Sequence, residues 1–145
     1  MAEPEFSIPT QEETRQKITG FGYAQLIGMQ VEQTQDSKGG VRIKVDSRLM
    51  HPQQIVHGGV IFTLADTAMS MALISTLPTG TPFSTIEAKI NYLAPVRSGE
   101  IFAEATILQQ GRTIAVLEAN LYNIDGEAQR LIGKVLGTFH IATKR

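Results

Sequence analysis

Cysteine is missing altogether, which excludes a disulfide scaffold, a zinc ribbon, a CxxC redox pair and a cysteine-nucleophile hydrolase. An excess of one charge is missing too. The chain's 13 Lys and Arg face 14 Asp and Glu, for a formal net charge of −1, and no basic run occurs. Nucleic acid and an anionic membrane surface are thereby set aside as main partners. The longest apolar stretch, residues 58–77, is broken by Asp66 and by Thr63, Thr67, Ser70, Ser75 and Thr76, so it is not expected to span a bilayer. Residues 1–9 carry two glutamates, two prolines and neither Lys nor Arg, unlike a secretory signal or transit peptide. The expectation is a cytoplasmic protein. What is present is ordinary globular composition, 42% hydrophobic and 19% charged over 145 residues, enough chain for one core without metal or disulfide support.

Local signals divide this chain. Thr10 and Glu13 stand in capping-box spacing, which predicts a short polar helix ending at Gly20. Alternation of Val41, Ile43 and Val45 with Arg42 and Lys44 predicts a half-buried strand after a Lys38-Gly39-Gly40 turn, with a weaker strand before it over residues 29–34. Over residues 58–77, Val60, Ile61, Leu64, Ala65, Ala68, Ala72 and Ile74 recur at helical spacing with apolar residues nearly all round, the pattern of a buried helix. Pro78-Thr79-Gly80 stops it. Strands follow: one with Ile86, Ala88, Ile90 and Tyr92 on one face and Thr85, Glu87, Lys89 and Asn91 on the other, then residues 101–110, 113–123 and 131–141. Short turns at Gly111-Arg112 and Asp125-Gly126 make them antiparallel neighbours. The sum is one α+β domain, about five or six antiparallel strands curled around one long central helix. Residues 1–19 form an N-terminal extension with its short helix, and residues 20–145 form the domain.

Asp66 stands out because it lies too deep in that helix to cap it. A carboxylate among Phe62, Thr63, Met69 and Ser70 needs hydrogen-bond donors, or its ionised form is disfavoured. His57-Gly58-Gly59 begins the same helix. Amides without a Cβ at the positive end of a helix suit an anion or an oxyanion, although a tight strand-to-helix turn also explains a diglycine. Eight residues at 1.5 Å each put Asp66 roughly 12 Å from those amides along the axis, which points to a site shared between two chains. His51 and His57, six apart with no cysteine, do not make a zinc site. His140, between Phe139 and Ile141, is read as structural or surface, and no serine sits in a nucleophile elbow.

The run His57-Gly58-Gly59-Val60-Ile61-Phe62-Thr63-Leu64-Ala65-Asp66-Thr67-Ala68 closely resembles the HGG-x(4)-LAD-x-A signature of the hotdog-fold acyl-CoA thioesterases, in their phenylacetate-pathway (PaaI-like) branch. Ile90-Asn91-Tyr92-Leu93-Ala94-Pro95 with Gly99-Glu100, and Gln110-Gly111-Arg112-Thr113, resemble later motifs of the same family, so the likeness runs over about residues 20–142. It implies a hotdog fold and hydrolysis of acyl-CoA to free acid and CoA without a cofactor or metal. On the matching positions, Asp66 is the general base or nucleophile, Gly58 the oxyanion amide and His57 an orienting residue. Gly59, Ser70 and Thr85 fall at substrate-side positions, and Arg97 and Arg112 in turns suited to the phosphates of CoA. Phe62, Met69, Phe83 and Leu93 are candidates to line the pocket for a medium-chain or aryl acyl group.

One position departs from the family. Six residues before His57 it commonly has Asn or Gln, whereas this chain has His51, with Gln53 and Gln54 nearby; an imidazole there makes activity pH-sensitive near neutrality. The resemblance also implies homodimers that pair their sheet edges and assemble into a homotetramer. A non-catalytic acyl-CoA-binding module on the same fold is the alternative. A hydratase or dehydratase is disfavoured, because its Asp and His spacing is not found.

Overall fold

The computed structural model describes residues 7–143; the first six residues of the segment compared with a leader peptide lie outside them. The capping box forms as spaced. Thr10 accepts from the Glu13 amide, Glu13 accepts from the Thr10 amide, and α1 runs over Gln11–Thr19 with Gly20 as its C-cap. A second short helix that the sequence did not announce, α2 (Gly22–Ile27), follows and ends on Gly28 in the left-handed conformation. The hydrophobic centre is α3, Gly58–Ile74. It stops four residues before Pro78, where the Ser75 and Thr76 hydroxyls donate to the terminal carbonyls of Ala72 (2.7 Å) and Leu73 (3.0 Å), supplying donors that the helix itself lacks.

Six strands, β1 (Gln30–Gln35), β2 (Lys38–Lys44), β3 (Phe83–Tyr92), β4 (Glu100–Gln110), β5 (Ile114–Asp125) and β6 (Ala128–Ile141), form one antiparallel sheet in the order β1-β2-β4-β5-β6-β3. Alternate residues of β4, β5 and β6, among them Ile101, Ala103, Ala105, Leu117, Ala119, Leu121, Val135 and Phe139, are fully buried. Against them pack Ile61, Leu64, Ala65, Ala68, Met69, Ala72 and Leu73 of α3. The sheet therefore holds the helix on one face. On its other flank Phe62, Thr63, Asp66, Thr67 and Ser70 are only half-buried, so α3 is not enclosed all round as its composition predicted.

Two corrections bear on the site. Gly39 and Gly40 are not a turn; they lie inside β2, and the chain reverses at Asp36 and Ser37, both with positive φ (56° and 63°). Gly39 is glycine because the sheet meets α3 there. A Cβ would run into the carbonyl oxygen of Ala68 and lie 2.7 Å from the Ala72 amide nitrogen. The alternation expected along β3 also fails. A bulge between Thr85 and Glu87 shifts the register, with Thr85 opposite Phe139, Ala88 opposite Gly137 and Ile90 opposite Val135. Ile86 is thereby turned outward, 55% exposed, and Thr85 joins Ala88 and Ile90 on the helix side, since directly paired residues share a face.

Candidate functional site

The redirected Thr85 meets the anomalous carboxylate. Its hydroxyl donates to Asp66 Oδ1 at 2.7 Å. Asp66 takes part in none of the ion pairs among the described residues. A half-buried carboxylate with one neutral donor keeps lone pairs free for a water or a substrate atom. Ser70, one turn on, donates instead to the Asp66 main-chain carbonyl at 3.1 Å, so it supports the turn and does not touch the carboxylate. Thr63 bonds back to Gly59 O at 2.9 Å, and its oxygen lies 2.9 Å from the Tyr23 hydroxyl of α2.

At the start of α3, His57 is the N-cap, and its Nδ1 accepts from the Gly59 amide at 2.8 Å. Gly59 is thus engaged within the chain and leaves the pair of free amides expected at this helix end. Gly58, the first helical residue, has no intrahelical acceptor for its amide. Its carbonyl accepts from the Tyr92 hydroxyl at 2.8 Å. In the sequence Tyr92 is only one of four residues sharing a strand face and part of a motif. Nothing local announces its reach back to residue 58, 34 positions away.

His51 borders two cavities. One, of about 330 Å³, also has Gly58, Ile61, Tyr92 and Leu93 in its wall. The other, of about 590 Å³, opens beside Asp46, Gln54 and Arg97. His51 Nδ1 accepts from the Gln53 amide at 2.9 Å, which in the neutral ring leaves the proton on Nε2. Gln53 and Gln54 are exposed, and Gln54 sits in its loop with φ 64°. Asp46 in the larger cavity is paired with Arg48 at 2.8 Å, a contact that holds its carboxyl below the usual range.

A third cavity, of about 370 Å³, lies against the open flank of α3. Thr67 and Ser70 beside Asp66 form part of it, with Ile18, Phe21, Tyr23, Ala24, Met29 and Met71 supplying apolar surface. Of the residues expected to line the pocket, Met69 is fully buried as core packing. Phe83 packs on Phe139 with ring centres 6.2 Å apart, and Leu93 is at the 330 Å³ cavity. Within one chain the site residues fall into two groups, Asp66 with Thr85 and Ser70, and His57, Gly58 and Gly59 with His51 and Arg97. Arg112 joins neither group. It lies exposed in the β4–β5 turn beyond Gln110, which accepts from Thr76 past the C-terminal end of α3.

Residues 53–129, which include Arg112 and both groups except His51, match the model of the thioesterase superfamily. A protein of Saccharolobus solfataricus named as an esterase is 31% identical over 114 residues, covering 79% of this chain and 73% of its own. Mouse acyl-coenzyme A thioesterase 13 is 35% identical over 82 residues, 56% of this chain and 58% of that one. The solved structure of a Haemophilus influenzae thioesterase superposes with a TM-score of 0.83 at 27% identity, covering 94% of this chain and 92% of its own. The chain belongs to the thioesterase superfamily, its fold is the hotdog fold, and its chemistry is thioester hydrolysis.

Proposed function

We propose that this thioesterase-superfamily chain hydrolyses acyl-CoA esters to the free acid and CoA, with Asp66 as the general base on water or the nucleophile on the thioester carbonyl. The observation that carries the reading is the Asp66 carboxylate, half-buried on the central helix, held by Thr85 and without a cation partner among the described residues. Removal of water's proton needs a base within hydrogen-bond reach of that water. The oxyanion that forms needs a donor about 3 Å from the same carbonyl group. The Gly58 amide of the same chain lies too far along α3, roughly 12 Å by helical rise, to serve it. The site is therefore shared. Asp66 of one subunit works with Gly58 of the partner subunit, with His57 holding the helix start and His51 facing the reacting group.

The remaining residues take substrate roles on this reading. The apolar cavity along Thr67 and Ser70 receives a medium-chain or aryl acyl group, its volume being within the ordinary range of small-ligand pockets. Arg97 meets a phosphate of CoA at the mouth beside His51, and Arg112 reaches the CoA arm only across the interface. Homodimers of this kind assemble further into a homotetramer.

The test is release of free CoA thiol from a panel of aliphatic and aryl acyl-CoAs by the wild type and by Asp66→Ala. Turnover that vanishes in the variant, with the fold retained, supports the assignment. Full activity in Asp66→Ala removes Asp66 as the base. Binding of CoA esters with no thiol release from any of them would replace hydrolysis by a binding module.

A further inference from the structure

The diglycine that opens α3 is shaped by two rings. A Cβ on Gly58 would lie 3.0 Å from Tyr92 Cζ and from its hydroxyl oxygen, and a Cβ on Gly59 would lie 2.9 Å from His57 Nδ1. At Gly59 a Cβ would force the imidazole to move, and at Gly58 it would press on the Tyr92 ring, so each glycine gives room to one ring. The two rings hold opposite ends of a single peptide group. Tyr92 donates to the Gly58 carbonyl at 2.8 Å, and the Gly59 amide of the same peptide donates to His57 Nδ1 at 2.8 Å. Tyr92 comes from the last position of β3, not from the helix.

This arrangement has two chemical effects. The first residue of a helix is the place where it frays, and holding the Gly58–Gly59 peptide at both ends keeps the first turn from unwinding, which steadies the adjoining Gly58 amide. A donor on a peptide carbonyl also strengthens the N–H of the same peptide. The Gly59 amide then holds Nδ1 as an acceptor, so that neutral His57 carries its proton on Nε2. Burial raises the Tyr92 hydroxyl above its ordinary pKa, so it remains a donor through the neutral range. Tyr92 also borders the cavity that His51 and Gly58 share.

We propose that Tyr92 is a positioning residue of the oxyanion site, its hydroxyl on the Gly58 carbonyl orienting the Gly58 amide and fixing the tautomer of His57 through the intervening peptide. The inference rests on Gly58 being the oxyanion donor.

Tyr92→Phe keeps the ring and removes only the hydroxyl, and is measured beside Asp66→Ala in the same thiol-release assay. Its expected kcat is about tenfold lower, the scale of a supporting hydrogen bond behind a reacting group, with KM unchanged. Independently of turnover, the Gly59 amide proton resonance moves upfield, its hydrogen exchange quickens, and the His57 ring nitrogen shifts move away from a single tautomer. Unchanged kcat together with an unchanged Gly59 resonance overturns the proposal. A raised KM at full kcat also overturns it, since Tyr92 would then be a substrate contact. Full activity in Asp66→Ala removes Asp66 as the base, and no thiol release from the wild type removes the hydrolase assignment; in either case the Gly59 and His57 signals still decide whether the clamp exists.

Discussion

The two edges of the sheet are finished differently. At β1 the open backbone is covered by α1. Gln11 Nε2 and Arg15 both donate to the Glu32 carbonyl, Gln11 Oε1 accepts from the Thr34 amide, and the Thr19 hydroxyl accepts from the Val31 amide. A bulge between Val31 and Gln33 breaks the ladder there as well. At β3, ten residues long, β6 pairs one side, and among the described residues nothing pairs with the other. Exposed edges invite pairing with another chain, and proteins cover those that must stay single. The covered edge contributes none of the residues proposed for the chemistry. The uncovered strand supplies Thr85 to Asp66 and Tyr92 to Gly58, which is where a site shared between subunits requires the second copy to dock.

The comparison breaks most sharply at the open edge. Ile86, outward-facing in the β3 bulge, touches neither Asp66 nor Gly58 in the hydrogen-bond network, yet Ile86→Asp would bring like charges together if two β3 strands pair. Sedimentation is expected to fall to the 15.8 kDa chain mass, from an assembly in the wild type. Thiol release is expected to drop by about two orders of magnitude, the scale of losing an oxyanion donor. An active Ile86→Asp monomer would show that one chain holds a complete site, and a wild type sedimenting as a monomer would remove the shared-site reading altogether.

The next effect concerns the scaffold between the edges. Gly39→Ala on β2 pushes a methyl group into the backbone of α3 at Ala68 and Ala72. Backbone cannot step aside as a flexible side chain can, so overpacking of about 3 kcal/mol is expected, the upper end for such changes. Chemical denaturation of the purified variant measures it. A cost near zero would mean that α3 and the sheet have slack between them.

Gly39 also shows where the sequence was legible and where it was not. The Thr10–Glu13 cap, the course of α3 and the Asp125-Gly126 reversal rest on residues close in the chain, and the structure has them as spaced. Lys38-Gly39-Gly40 suggested a turn because glycine is the usual turn residue. Here glycine answers to a helix some 30 positions away, and Asp36 and Ser37 take the strained turn instead. The same limit hid the bulge at Ile86, which a regular alternation cannot register, and so reversed the expected faces of Thr85 and Ile86. Asp66 and the His57-Gly58-Gly59 start were visible because their residue types conflict with a buried helix. Tyr92 was not, since a tyrosine at the end of a strand conflicts with nothing.

At the closed edge the expected effects are smaller and leave assembly alone. Gln11→Ala removes the side chain that both donates to Glu32 O and accepts from Thr34 N. About 1 kcal/mol of stability is expected to go, the usual net worth of such a bond, with sedimentation and kcat unchanged. A change of oligomeric state in this variant would mean that α1 guards an assembly interface, and the two edges would no longer be opposites.

The smallest effect expected is a pH dependence in the cover itself. The Thr10 amide and hydroxyl hold the Glu13 carboxyl below its ordinary pKa. A carboxyl whose pKa is depressed by folding stabilises the folded state above its unfolded value and loses that contribution as pH falls through the folded one. The protection of the α1 amides, relative to their intrinsic exchange at each pH, should therefore fall in acid, beginning near the ordinary carboxylate range, while that of β3 shows no parallel change. Glu13→Gln removes the titrating carboxylate that the Thr10 amide and hydroxyl hold, so it should lower protection in α1 at neutral pH, and its difference from wild type should shrink as the acid limit is approached. Equal pH dependence in the variant and the wild type would mean that Glu13 is not what secures the helix over β1. The cover would then depend on Gln11, Arg15 and Thr19 alone.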